Sequence, residues 1–231
     1  MAGRPAAGGG RWVSVAPGRL ETWSRGFAER HGGAENVLSG DVVRLQGRDG
    51  AVAELHVPFP PLGGARADAD AVAAAEGDDL LHDLVEHARA ERVVGVLLVR
   101  LGGHAAGVFE GERLIASKVG SRLVHGRSAA GGWSQHRFAR RREKQAAEAS
   151  QAAAEVAVRV LVPKVDSLEA VVLGGDRRAV DALRTDRRLA PIFALETGPF
   201  LDVPDPRLAV LQDTPRTFRA VRIRLLDPPT T

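Results

Sequence analysis

The sequence has no cysteine among its 231 residues. Disulfides, thiolate zinc sites and cysteine nucleophiles are therefore excluded, and the composition is unlike that of a disulfide-stapled secreted protein. The first ten residues contain no apolar run that could serve as a signal peptide, and no segment approaches the ~20 apolar residues of a membrane span. These absences predict a cytoplasmic protein that does not associate with membranes.

Acidic residues are nearly absent between Ser117 and Gln145, where Glu143 is the only one. Eight lysines and arginines give this segment a formal charge of +7, whereas the whole chain carries only +3. A single patch therefore carries the positive field, and a polyphosphate is its natural partner. By charge alone, a solvated helix face rich in arginine is the alternative interpretation.

The hydrophobic pattern predicts three parts. Residues 1–64 are expected to form a small N-terminal α+β unit, residues 65–90 an acidic linker and helix, and residues 91–231 a larger domain. The overall class is α/β (α+β). Outside the central region, strands are expected at 12–15, 42–45, 52–57, 170–173, 192–195 and 218–226. One helix is expected to begin at Pro17, and two more at 78–89 and 176–183.

The central region combines a meander, a loop and a long helix. Three strands are expected at 93–101, 105–109 and 114–119, followed by a protruding Gly/Ser/Arg loop over 120–132. A helix rich in Ala, Glu, Lys and Arg should run from about residue 134 to residue 160. Its inward stripe is predicted to consist of Phe138, Arg142, Ala149, Ala153, Val156 and Val160.

The start of that helix has the composition of an RNA-binding segment. Gly131 and Gly132 permit close backbone approach to a ligand, and Ser134 can cap the helix, whose positive end attracts anions. Trp133 offers a surface on which a base can stack. The residues expected to contact RNA are Arg122, His125, Arg127, His136, Arg137, Arg140, Arg141, Arg142 and Lys144.

This segment resembles the catalytic loop and helix of eukaryotic and archaeal class-one release factors. The shared features are His-Gly-Arg at 125–127, Gly-Gly at 131–132 and Arg-Phe-Ala-Arg at 137–140, in that order. The meander before them and the Val-Val-Leu-Gly-Gly run at 171–175 fit the same domain. The resemblance is strongest to the actinobacterial branch of the Vms-like release factor family, a family of peptidyl-tRNA hydrolases. It covers roughly residues 91–227.

The resemblance implies a release-factor catalytic domain with a ribonuclease-H-like mixed sheet, and a peptidyl-tRNA hydrolase that acts on the large ribosomal subunit. It implies no cofactor and no metal, with the ribosome and peptidyl-tRNA as partners of a monomer. The loop tip would orient a water against the ester carbonyl, while backbone N–H groups stabilise the developing charge. The residues expected at this catalytic tip are Gly131, Gly132, Trp133, Ser134 and Gln135.

The tip departs from the release-factor pattern at one position. Trp133 stands where the release factors have the glutamine of their Gly-Gly-Gln tip, and the nearest glutamine, Gln135, comes two residues later. Either Gln135 supplies the function or the backbone at Trp133 does. A non-catalytic ribosome- or RNA-binding domain is the second hypothesis. A metal-dependent nuclease ranks lower, because the three strands of the meander contain no aspartate to bind Mg²⁺.

Overall fold

The computed structural model describes residues 4–63, 78–121 and 135–228, with the backbone alone for residues 78–79 and 135–144. Two compact units divide the chain: Met1–Ala90 together with Pro215–Thr231, and Glu91–Thr214. The strands are β1 (Arg4–Pro5), β2 (Arg11–Val15), β3 (Ala34–Ser39), β4 (Val42–Gly47), β5 (Val52–His56), β6 (Val93–Arg100), β7 (Gly103–Glu110), β8 (Arg113–Ser121), β9 (Ala170–Gly175) and β10 (Val221–Leu226). The α-helices are α1 (Leu20–Arg30), α2 (Asp78–Arg89), α3 (Gln135–Val160), α4 (Arg177–Leu183), α5 (Ala190–Ala194), α6 (Leu208–Asp213) and α7 (Pro215–Phe218).

The first unit is an antiparallel sheet with helices on one face. Its strand order is β1-β2-β10-β5-β4-β3, and every neighbouring pair is antiparallel. Side chains alternate as the period of two requires, so that Val43 and Leu45 are buried whereas Arg44 is exposed. The apolar face packs against α1 and α2, which contribute Phe27 and Leu84 to one continuous core.

A buried histidine ties α2 to the loop after β5. His87 Nδ1 accepts a hydrogen bond from the Gly63 N–H at 3.1 Å, and its Nε2 donates to the Pro58 carbonyl at 2.7 Å. These two bonds assign the neutral tautomer with the proton on Nε2. The ring therefore satisfies backbone groups of residues 58–63, which lie directly before the part of the linker that is outside the described residues.

The C-terminal strand corrects the expected domain division. The sequence places residues 218–226 in the larger domain, but β10 lies between β2 and β5 in the sheet of the first unit. Val221 and Ile223 are buried there, and both edges of the strand find backbone partners. The expected separate linker helix, α2, also packs into the first core. The second unit therefore ends at Thr214 rather than at residue 231.

The second unit is built on a mixed four-stranded sheet. Its order is β8-β7-β6-β9, with the meander β6–β7–β8 antiparallel and β9 parallel to β6. Strand β6 is buried from Val94 to Val99, which explains its unbroken apolar sequence. The long helix α3 follows the meander and packs on β7 and β8, while α4 packs on β6 and β9. The predicted mixed α+β class, with its meander and long helix, is confirmed.

One predicted strand is wrong. Residues 192–195 fall in and just after the helix α5, whose first turn contains Pro191, a residue suited to that position. Leu189 and Ile192 are both fully buried, and their spacing of three matches a helical turn rather than a strand. The outer edge of β9 is met instead by two isolated parallel bridges, Val171 to Glu196 and Gly174 to Leu201.

Candidate nucleic-acid interface

The residues expected to carry chemistry fall into two groups in this structure. Seven of them lie in the segment 122–134, outside the described residues: Arg122, His125, Arg127, Gly131, Gly132, Trp133 and Ser134. The other seven have their backbone in α3, with side chains outside the description: Gln135, His136, Arg137, Arg140, Arg141, Arg142 and Lys144. Their roles therefore stay predictions, and what the structure adds is the framework that holds the segment at both ends.

The first end of this framework is the edge strand β8. The sequence places residues 120–121 in the loop, but both belong to β8, where Ser121 pairs with Gly103 and Gly120 with His104 of β7. Strand β8 therefore extends two residues beyond the expected loop start. Residues 122–134 follow this strand in the chain, and the exposed Lys118, three residues before Ser121, gives the end of the strand a positive charge.

His104 of β7 pairs with Gly120 near the end of β8, and the sequence alone did not indicate this residue. Its side chain is 8% exposed, and burial lowers the pKa of the imidazole below its ordinary value. The ring packs so closely on Gly120 that a Cβ added there would come within 2.2 Å of His104 Nε2. A lone histidine in a strand gives no sequence signal for this contact, because the partner is fixed only by the pairing of β7 with β8.

The second end is α3, a helix of 26 residues. At a rise of 1.5 Å per residue it is about 39 Å long. Within residues 145–160, whose side chains the structure describes, the buried face includes Ala153, Val156, Ala157 and Val160, whereas none of the residues 145–152 is buried. The predicted stripe is thus confirmed for Ala153, Val156 and Val160; Ala149 is half-buried, and the Phe138 and Arg142 side chains lie outside the description. The C-terminal part of the helix is therefore packed into the core of the second unit.

Helical periodicity assigns the N-terminal positions of α3 to faces. Residues 137, 140, 141 and 144 are spaced by three, four and seven, so these basic positions share one face. Gln135 precedes Ala153 by 18 residues, and Arg142 precedes Val160 by the same interval, which is about five complete turns. Both positions therefore fall on the line of the buried face, away from the other four basic positions.

Arginines near the C-terminal part of α3 are engaged with carboxylates. Arg188 contacts Glu155 of α3 and Asp186, both at 2.7 Å, and these contacts raise the pKa of the guanidinium. Arg184 contacts Asp181 and Glu196 in the same way. These charges are neutralised locally, so they add little to the positive field of the basic segment.

The described residues lack the features of a metal centre and of a membrane-spanning segment. Among residues 4–63, 78–121 and 135–228, no group of three or more histidine or carboxylate side chains is placed to hold a metal ion. Within the same residues, no helix is long and apolar enough to cross a membrane.

Comparison with known proteins identifies the family. The family model described as Actinobacteria/chloroflexi VLRF1 release factor matches residues 92–224, more than half of the chain. The chain belongs to this family. The matched range includes the meander, the basic segment and α3, so the resemblance stated from the sequence motifs is confirmed at the level of the family. No curated protein matches the chain.

Solved structures similar to this chain include an archaeal translation termination factor, aRF1, with 15% identity and a TM-score of 0.41. That match covers 87% of this chain, which spans only 61% of the length of the archaeal factor. The Vms1 mitochondrial localization core is similar at 8% identity and a TM-score of 0.38, covering 93% of this chain and 82% of that one. At such values these likenesses add nothing to the family assignment.

Proposed function

We propose that this VLRF1 family member is a peptidyl-tRNA hydrolase that acts on the ribosome and releases nascent chains from stalled large-subunit complexes in the cytoplasm. The observation that carries the proposal is the family match, which runs across the basic segment and the helix that follows it. In the reaction, water adds to the ester carbonyl carbon and the bond to the ribose 3′ oxygen breaks. The products are a free peptide carboxylate and a tRNA with a restored hydroxyl.

The catalytic tip proposed for this reaction comprises Gly131, Gly132, Trp133, Ser134 and Gln135. A glutamine amide is neither a useful base nor a nucleophile, so its proposed task is to orient the water. Glycine backbone N–H groups can approach the carbonyl oxygen closely and stabilise the charge that develops on it. The ribosome and the tRNA 3′ end would supply the remaining electrostatic stabilisation.

RNA contact is assigned in this proposal to the basic residues around the tip. The four positions that share a face of α3, namely 137, 140, 141 and 144, are expected to contact ribosomal or transfer RNA together. Helical periodicity places position 142 on a different face from these four. Replacing Arg142 therefore removes one positive charge from the same helix, but from a face that is not expected to contact RNA. This makes Arg142→Ala a matched comparison for Arg141→Ala.

Peptide release from purified large-subunit–peptidyl-tRNA complexes tests the chemistry. Gln135→Ala should lower the rate at saturating protein by about 10²-fold or more, a loss typical of removing one positioned polar group. Binding to the particles should stay near that of the wild type. A wild-type protein that binds these particles but releases no peptide would instead establish the alternative, a non-catalytic ribosome-binding domain.

Two further variants decide which tip residue acts. Trp133→Ala should weaken affinity while sparing the maximal rate if the indole only stacks on RNA. If Trp133→Ala abolishes the rate and Gln135→Ala does not, catalysis belongs to the backbone at residue 133 and the assignment of Gln135 is wrong. Gly132→Ala should lower the rate in either case, because a side chain there restricts the backbone and its approach to the ester.

Co-sedimentation with large subunits across a salt series tests the binding face. Each lost phosphate contact should reduce the slope of log affinity against log salt by about one. Arg140→Ala and Arg141→Ala should each show this reduction, and Arg142→Ala should show less of it. Equal effects of all three replacements would contradict the assignment of a single binding face.

A further inference from the structure

The sheet of the first unit has a second face, opposite the one that α1 and α2 cover. We call it the open face and define it by two adjacent rows of paired residues. One row crosses all six strands as Arg4, Trp12, Arg224, Glu54, Arg44 and Val37. The other contains Ser14, Arg222, His56, Val42 and Ser39. At ~4.8 Å per strand the longer row spans about 24 Å.

Aromatic rings and a guanidinium group meet near the centre of the open face. The Trp12 and His56 rings lie 5.0 Å apart between centroids, tilted by 55°. Arg222 is exposed, and its Cζ lies 4.5 Å from the centre of the Trp12 ring. A polar sheet face has no core to build, so a half-buried tryptophan among arginines there is not explained by packing of the fold.

The guanidinium of Arg222, which lies over the Trp12 ring, makes no side-chain hydrogen bond among the residues that the structure describes. A guanidinium attracted to the face of a ring can still offer its N–H groups to a ligand. These N–H groups match the oxygens of a phosphate. Burial, and then the positive charge of Arg222, lower the pKa of His56, so this ring is neutral at neutral pH and can stack beside the indole.

The charges on the open face favour an anion. Arg224 is held in place, because it donates to the carbonyls of Gly8 and Gly9 and contacts Glu54 at 3.4 Å. Among the residues that the structure describes, Arg4, Arg44 and Arg222 form no ion pair with a carboxylate. These three arginines therefore lie on the same face as the Trp12 and His56 rings, and Glu54 is the one carboxylate in the two rows.

We propose that the open face binds single-stranded RNA, with bases stacked on the Trp12–His56 pair and phosphates on Arg4, Arg44 and Arg222. Rings flanked by arginines on an exposed sheet are the combination that suits unpaired bases, since every base has a flat face and every nucleotide a phosphate. The open face and the basic segment after β8 have no residue in common. RNA binding at the open face does not depend on peptide release, because it involves none of the residues proposed for the tip.

Fluorescence anisotropy with a labelled single-stranded oligouridylate tests the proposal on the full-length protein. Both the wild type and a protein carrying Ala at positions 137, 140, 141 and 144 serve as backgrounds, since the basic segment could also bind the probe. Trp12→Ala should weaken binding about 5- to 150-fold in the second background, the range expected for losing one base stack. Arg222→Ala should weaken binding and reduce the salt slope by about 0.7.

The matched control is Arg19→Ala. Arg19 is an exposed arginine of the same unit, directly before α1, on the layer that covers the other face of the sheet. This variant should bind the probe as its parent does. Trp12→Phe, which keeps an aromatic ring, should retain most of the affinity. Circular dichroism melting checks that each variant folds. If Trp12→Ala fails to fold, the affinity of Arg222→Ala tests the proposal, because Arg222 is exposed.

Two results would overturn the proposal. The first is probe binding by Trp12→Ala and Arg222→Ala that equals binding by Arg19→Ala. The second is loss of ribosome association by these variants while oligonucleotide binding is unchanged, since the open face would then be a protein-binding surface. A wild-type protein that released no peptide but bound the probe would refute the proposed hydrolase and leave the open face assigned to RNA, so the two proposals can fail separately.

Discussion

Gly120 and His104 offer a direct test of the framework beneath the basic segment. The backbone of Gly120 is extended in β8, so glycine is required there by space and not by an unusual φ angle. A methyl group at this position would lie 2.2 Å from His104 Nε2 and 2.7 Å from Cε1. The ring must withdraw by more than 1 Å to reach ordinary contact, yet it is buried.

The expected cost of Gly120→Ala follows from two opposing effects. Forcing an extra methyl group into a packed site costs about 1–3 kcal/mol. Replacing glycine by alanine in a strand recovers about 0.5–1 kcal/mol of backbone entropy. We therefore expect a net loss of up to about 2.5 kcal/mol, centred near 1 kcal/mol, in the free energy of unfolding of the second unit. Urea unfolding followed by circular dichroism, with hydrogen exchange of the β7 and β8 amides, measures it.

A double-mutant cycle isolates the contact. In a His104→Ala background the obstruction is gone, so Gly120→Ala should be neutral or slightly stabilising, and the coupling energy should equal the steric cost of about 1–3 kcal/mol. Gly102→Ala in the turn between β6 and β7 is the control, because the nearest atom to its added methyl group is 4.0 Å away. If Gly120→Ala costs the same with and without His104, the contact does not constrain β8 and the reasoning fails.

Three further predictions concern other positions. Gly175→Ala should destabilise the second unit by about 3 kcal/mol or more in urea unfolding, because φ is +100° and the new Cβ would lie 2.2 Å from the Val99 carbonyl oxygen. An unfolding free energy equal to that of the wild type would contradict this. His87→Ala should destabilise the first unit by about 2–4 kcal/mol, since both ring nitrogens bond to backbone groups. His82 is exposed on the same helix, and His82→Ala should change the unfolding free energy by less than about 0.5 kcal/mol. Similar losses in the two variants would refute the role of His87. Since burial lowers the pKa of His104 in the folded state, protonation favours the unfolded state, and stability should fall as pH drops below the unfolded value of about 6.5; His104→Gln should flatten that decline between about pH 5 and 7, and an unchanged pH profile would exclude the effect.

Most of the second unit could be predicted because its sequence signals are local. The run from Val93 is apolar without interruption, as a strand buried on both faces requires, and glycine pairs mark the turns around it. The residues after position 134 are strong helix formers, and the predicted inward stripe coincides with the buried face from Ala153 to Val160. Asp176 caps α4 by accepting from the Arg178 N–H, a pairing that acidic cap residues favour.

The parts that could not be predicted depend on contacts between distant residues. Nothing in residues 218–226 indicates that β10 pairs with strands more than 160 residues earlier, and its partners decide which unit it joins. Strand β3 was missed because polar Glu35 and Asn36 weaken its apolar alternation. The candidate site divides in the same way: its motif is local and visible in the sequence, whereas the packing of His104 on Gly120 exists only through the pairing of β7 with β8.

The helix α3 contains both the basic motif, which is visible in the sequence, and the buried face, which the structure defines. Successive residues of a helix are rotated by about 100° about its axis. The burial of Ala153 and Val160 therefore determines on which face of the helix each earlier backbone position lies, back to residue 135. Gln135 then falls on the line of the buried face, and the four basic positions from 137 to 144 fall on another. In the proposed mechanism, the residue expected to contact the ester and the residues expected to contact phosphates therefore occupy different faces of the same helix. Binding and rate should therefore respond to different replacements, and a Gln135 variant that lost both together would show that the tip and the basic face do not act as separate surfaces.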